Sequence, residues 1–399
     1  MWSFSAFLSA VLIASTSVSA SSVVSIPLTK LHVARNRSYL NWSPQARASF
    51  LKARKSGDPV TVPASNLDYV QYTTSVGVGS PATYYNLVVD TGSSNTFVGT
   101  GKKYVRTSTS VPTGQDVNVT YGSGYFSGVE YYDTVTLGLG LVITKQSIGD
   151  ALQYADFEDV DGMIGVGPVD LTQGTLSPDT DAEIPTVMNN AVKQQLIKKQ
   201  ILGVSFTPAT TSNDTNGALT YGGVDQALYT GTITYTPVTK TEPAAGYWGI
   251  NVTAATYGTH TVIPQSTAGI ADTGTSQVLL ADNFFAVYMS AIPNAYLDDN
   301  TGLIVIPSSS VTGMQSLNFT IGGTVFGMDP AAQLIPQDQN NAWGGQTGVQ
   351  YGVVANLGAD SGEGLDFILG QKFMEVFYAV FDADDNRVGF AYTDHTFST

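Results

Sequence analysis

The sequence contains no cysteine, which excludes disulfides, a thiolate nucleophile and cysteine-ligated zinc together. Histidine is nearly as scarce. His32, His260 and His395 are the only three, and none stands in a metal-ligand spacing or beside a serine elbow. A serine hydrolase and a zinc peptidase therefore both lack their parts, and no metal or cofactor is expected. Basic charge is short as well, with 17 Lys and Arg against 32 Asp and Glu. Residues 21–66 hold seven of the basic residues (Lys30, Arg35, Arg37, Arg47, Lys52, Arg54 and Lys55) against Asp58 alone. That leaves 10 basic and 31 acidic residues in 67–399, a net charge near −21. So acidic a body has no basic stripe to neutralise phosphates, and nucleic acid is excluded as a partner.

Long hydrophobic runs are also missing. The one apolar stretch, around Ala6–Ala14, is too short to span a bilayer. It leads into Val18-Ser19-Ala20, the small-residue pattern of a signal-peptide cleavage site. Residues 1–20 are thus expected to be a signal peptide, and the protein to be secreted with no membrane anchor. A chain of 399 residues can bury enough apolar surface to do without disulfides after export. The basic leader and acidic body carry opposite charge and are expected to dock on each other.

From about Leu67 onward, Val, Thr and Tyr alternate with small polar residues, and Gly or Pro punctuates them. Tyr84–Val89, Asp133–Leu137, Thr232–Pro237 and Tyr378–Asp382 are expected strands of a mainly β protein. Two helices are expected. Thr186–Gln200 would place Met188, Val192 and Leu196 on one face, and Asp282–Ile292 would open on an Asp cap before Phe285, Met289 and Ile292.

A short motif occurs twice. Val88-Val89-Asp90-Thr91-Gly92-Ser93-Ser94 returns as Ile270-Ala271-Asp272-Thr273-Gly274-Thr275-Ser276. Each copy is followed later by two apolar residues and a glycine, Met163-Ile164-Gly165 and then Ile368-Leu369-Gly370. One Asp-Thr-Gly triplet means little, since these are ordinary turn formers. Two copies in the same order of context imply a duplicated architecture, with matching turns facing each other across a cleft.

Two carboxyl groups sharing one site cannot both ionise cheaply, so one keeps its proton. That supplies a general base and a general acid for one water molecule. Gly92 and Gly274 let the backbone turn sharply and bring an N–H to each carboxylate. Ser93 and Thr275 are placed to hydrogen-bond the carboxylates, and Thr91 and Thr273 to lock the turns together. A glycosidase also uses two carboxylates but needs no duplicated Asp-Thr-Gly turn.

These motifs, with Thr120-Tyr121-Gly122-Ser123-Gly124 and Asp161-Gly162-Met163-Ile164-Gly165, resemble the pepsin-like aspartic protease family from Val62 to the end. The cysteine-free composition resembles its basidiomycete polyporopepsin group. The resemblance implies two pseudo-symmetric β lobes with a few short helices, 58–230 and 231–399, after a basic propeptide at 21–57 (boundary within 55–66). It makes Asp90 and Asp272 the catalytic dyad; a shared proton is that family's known property. It makes Tyr121, Gly122 and Ser123 part of the flap, a hairpin that closes over bound peptide. It also implies polypeptide substrates, the chain's own propeptide as intramolecular inhibitor, sensitivity to pepstatin-like inhibitors, and a monomer. A pepsin-like binding protein without catalysis is the alternative, and a damaged dyad or flap would mark it.

Two positions depart from the family. Phe97 stands where a tryptophan usually donates to the flap tyrosine, and phenylalanine has no donor; a more mobile flap is the expectation. Gln371 stands where an acid often follows Ile-Leu-Gly, which lowers negative charge near the dyad. The body also carries four Asn-x-Ser/Thr sequons, at Asn118, Asn213, Asn251 and Asn318, as glycosylation candidates.

Overall fold

The computed structural model describes residues 24–32, 52, 70–122, 124–138, 140–157, 159–208 and 217–396. Strands dominate, as β-branched and aromatic enrichment demands. Fourteen of them form one continuous sheet, and eight more form a second sheet confined to the second half of the chain.

In Thr83–Asp90, the strand that delivers the first aspartate, Leu87 and Val89 enter one core and Val88 another. Successive side chains of a strand point to opposite faces, so an unbroken apolar run marks a strand buried on both. Full burial of each such side chain contributes about 1.5–3 kcal/mol.

The repeat builds the same three-strand unit twice. Thr83–Asp90 pairs in parallel with Gly162–Gly165, matching Val89 to Ile164. Gly162–Gly165 then pairs antiparallel with Thr96–Val98, the strand just after the first turn. In the second half, Thr267–Ala271 pairs in parallel with Phe367–Leu369, which pairs antiparallel with Val278–Leu280. The delayed apolar-apolar-Gly segment therefore slots between the two strands flanking each Asp-Thr-Gly turn. Its glycine is required by close approach. A Cβ on Gly165 would lie 2.5 Å from Ser94 C, and one on Gly370 would lie 2.2 Å from Gln277 O.

The two halves share the large sheet. Ile201–Ser205 pairs with Gly217–Tyr221 on one side and with Phe377–Asp382 on the other. The leader strand Val24–His32 lies between Gly217–Tyr221 and Val70–Val78. Residues 24–32 of the leader thus form an interior strand, with Leu28 fully buried.

Two helices differ from expectation. The first runs only over Val187–Lys193, capped by the Thr186 side chain, because Gln195 turns into the left-handed region at φ 59°. The second spans Asp282–Ser290, and its N-cap is Ala281. Asp282 accepts instead from Gly358 N–H at 2.8 Å, tying a neighbouring loop. Phe284, Phe285 and Tyr288 form its buried face.

Candidate active site

Asp90 ends its strand, Asp272 directly follows the matching one, and both are fully buried. Each carboxylate is held in the same way. Asp90 accepts from Gly92 N–H at 2.9 Å and Ser93 Oγ at 2.6 Å. Asp272 accepts from Gly274 N–H at 3.0 Å and Thr275 Oγ1 at 2.6 Å. Hydrogen bonds to a charged acceptor favour the charged form and fix its orientation.

The turns are locked across the lobes. Thr91 N–H donates to Thr273 Oγ1 at 2.9 Å, and Thr273 N–H donates to Thr91 Oγ1 at 2.9 Å. Each hydroxyl passes its own proton onward, Thr273 to Val89 O at 2.8 Å and Thr91 to Ala271 O at 3.4 Å. The reciprocity follows from pseudo-symmetry. It sets the two aspartate turns against each other across the lobes.

The hairpin expected to act as the flap is built from Val111–Thr120 and Tyr125–Gly138, closed by Tyr121 N–H donating to Gly124 O at 2.6 Å. Tyr121 and Gly122 are buried, and Ser123 lies outside the described residues. The Tyr121 ring lies 6.0 Å from Phe97 and 5.4 Å from Phe157, centroid to centroid. Phe97 itself stacks on Phe126 at 3.9 Å. Where the family resemblance sets an indole donor, this chain has an aromatic wall.

One strand of that hairpin carries Glu130, 2% exposed, which accepts from Ser147 Oγ at 2.7 Å. Burial pushes its carboxyl up to about 8, and the Ser147 hydrogen bond only partly opposes this. Next to it, burial raises Asp150, and Arg106 pulls it back.

Further supports escaped sequence reasoning. Ser94 Oγ donates to Pro168 O at 2.6 Å, and Trp248 Nε1 donates to Val166 O at 3.3 Å. Both fasten the segment behind the Asp90 turn, where Val166 N–H donates to Asp90 O at 2.8 Å. Ser and Trp at these places carry no periodic signal. Of the sequons, Asn118 and Asn251 are exposed, Asn318 is half-buried, and Asn213 lies outside the described residues. His260 and His395 are both exposed.

The family model described as eukaryotic aspartyl protease matches residues 71–393. The chain belongs to the eukaryotic aspartyl protease family. It is 54% identical to polyporopepsin of Irpex lacteus over 339 residues, covering 85% of this chain and 98% of that protein. It is 29% identical to pepsin A of Sus scrofa over 352 residues, covering 82% of this chain and 83% of the pepsin. The crystal structure of the aspartic proteinase from Irpex lacteus superposes with a TM-score of 0.82 at 47% identity, covering 94% of this chain and 99% of that one. This aspartic endopeptidase thus has the two-lobed pepsin-like fold, with both Asp-Thr-Gly turns intact.

Proposed function

We propose that the protein is a secreted zymogen that matures into an acid-acting endopeptidase, with Asp90 and Asp272 as its catalytic dyad. The reciprocal threonine lock between the two turns carries this reading, because it joins two identically held carboxylates at one centre. Sharing one proton, the pair takes a proton from a water molecule whose oxygen attacks the peptide carbonyl carbon. The carboxyl proton goes to the carbonyl oxygen. When the tetrahedral diol collapses, the C–N bond breaks, the leaving nitrogen takes a proton from the dyad, and a diol hydroxyl returns its proton to the pair as the carboxylic acid forms. Thr91, Gly92, Ser93, Thr273, Gly274 and Thr275 hold the pair, and Tyr121, Gly122 and Ser123 cover the substrate.

The leader's charge supports inhibition until acidification. Lys52 meets Glu363 at 2.9 Å, and protonation of such carboxylates at acid pH removes the leader's partners. Self-processing within residues 55–66, which lie outside the described residues, would free a monomeric enzyme. Asn118 and Asn251 are the best-exposed positions for glycans. Acidified protein should digest denatured haemoglobin or casein, and a pepstatin-like inhibitor should stop it. Asp90→Asn or Asp272→Asn should lower the rate by at least about 10³-fold. Full digestion by either variant would remove the dyad from the mechanism.

A further inference from the structure

The two turns hold their carboxylates alike, but different residues stand behind them. Behind the first, Gly167 N–H donates to Ser93 O at 2.8 Å. Behind the second, Gln371 N–H donates to Thr275 O at 2.7 Å. Ser93 and Thr275 are matching residues of the repeat, so the two N–H groups play matching parts, although Gln371 directly follows its motif glycine and Gly167 stands two residues after Gly165. A Cβ on Gly167 would stand 2.8 Å from both Ser93 O and Thr91 O, which shuts a side chain out. Gln371 carries an amide, 1% exposed, whose Nε2 donates to Thr273 O at 2.7 Å.

The Thr273 carbonyl and the Gly274 N–H belong to one peptide group. That N–H is the one bonded to Asp272 Oδ1 at 3.0 Å. A donor on the carbonyl polarises the peptide and makes its N–H a stronger donor, the ordinary cooperativity of hydrogen-bond chains. We infer that Gln371 is a positioning residue for the dyad, acting through the Thr273–Gly274 peptide to favour the charged carboxylate. This rests on the dyad reading above.

The orientation of the amide is forced, since turning it over would set two carbonyl oxygens against each other. Its Oε1 is buried with no hydrogen-bond partner among the described residues. An aliphatic side chain would avoid that penalty, so the bond made by Nε2 is the reason to keep the amide. The titratable groups around Gln371 are Asp272 on the turn, Lys372 and Glu375 on its own short helix, and Tyr72 from Val70–Val78. Lys372 and Glu375 pair at 3.0 Å, and the Tyr72 hydroxyl donates to Glu375 at 3.1 Å. Changing residue 371 leaves that cluster in place.

Favouring the charged form lets the dyad lose its first proton at lower pH, which extends activity downward. The test is the pH profile of kcat/KM on a fluorogenic peptide for acid-processed wild type, Gln371→Met and Gln371→Glu. In the methionine variant the acid limb should rise by about 0.5 unit, about threefold in proton affinity. The glutamate variant is protonated in that range and still donates to Thr273 O, so its acid limb should coincide with wild type. A merely structural role would lower kcat at every pH without moving the limb. A folded methionine variant with an unmoved limb overturns the inference, and so does a glutamate variant that shifts as far as methionine. Should the methionine variant fail to fold, the glutamate variant decides alone: coincidence supports the inference and a shift ends it. A wild type unable to cleave the peptide would instead count against the dyad reading.

Discussion

Glu130 is the residue whose chemistry ties the fold to acid conditions. Its carboxyl titrates at about 8 in the folded chain, against an ordinary value of 4.5. Below 4.5 it is protonated in both folded and unfolded states and costs nothing. As pH climbs from 4.5 towards 8, the unfolded chain releases the proton and the folded chain does not, so stability falls across that window. The loss is on the order of 3–5 kcal/mol. Glu130→Gln should therefore flatten the pH dependence of chemical unfolding between mildly acid and neutral pH, and an unchanged slope there would count against it. At the dyad, Thr273→Val removes the acceptor for Thr91 N–H and the donor to Val89 O. Two buried backbone groups are then stranded, a loss of about 2–4 kcal/mol. Urea unfolding would show it, and a variant as stable as wild type would mean that the lock adds nothing.

Among the elements, the flap is held by rings. Phe97 touches Phe126 and Phe157, and with them it walls the Tyr121 ring. Truncation by Phe97→Ala should destabilise the first lobe by about 3–5 kcal/mol. It should also speed hydrogen exchange at the Tyr121 amide, whose bond to Gly124 closes the hairpin. Unaltered exchange at that amide would show that the wall does not restrain the flap. Phe97→Trp would place an indole N–H at this position, but the position is fully buried, and overpacking there costs about 1–3 kcal/mol.

At the scale of the molecule, the leader is a structural strand of the sheet that joins the halves. Leu28 is fully buried in the main core. Leu28→Ala should cost the full-length chain about 2–5 kcal/mol. It should leave the enzyme unaffected if the proposed acid processing has removed that residue. Thermal unfolding of both forms checks this, and equal loss in the two would mean the leader stays bound after processing. The Lys52–Glu363 pair has one partner 61% exposed, so alone it is worth less than about 1 kcal/mol. The leader's attachment therefore rests mainly on strand pairing and burial.

Much of this was written in the order of residues. Alternation and glycine spacing implied a β protein, and the doubled Asp-Thr-Gly with its delayed apolar-apolar-Gly named both aspartates and their supports. Such features are local or repeated, so they survive in one dimension. The early end of the helix at Lys193, where Gln195 turns left-handed, and the bond of Asp282 to a distant loop in place of a cap did not survive, because local backbone and tertiary contacts override propensity. Nor could the sequence tell that Glu130 is buried, that Gln371 reaches the Thr273 carbonyl, or that the leader forms an interior strand. Each of these depends on chain segments far apart in sequence meeting in a dry interior, where burial and hydrogen-bond partners set what a side chain can do.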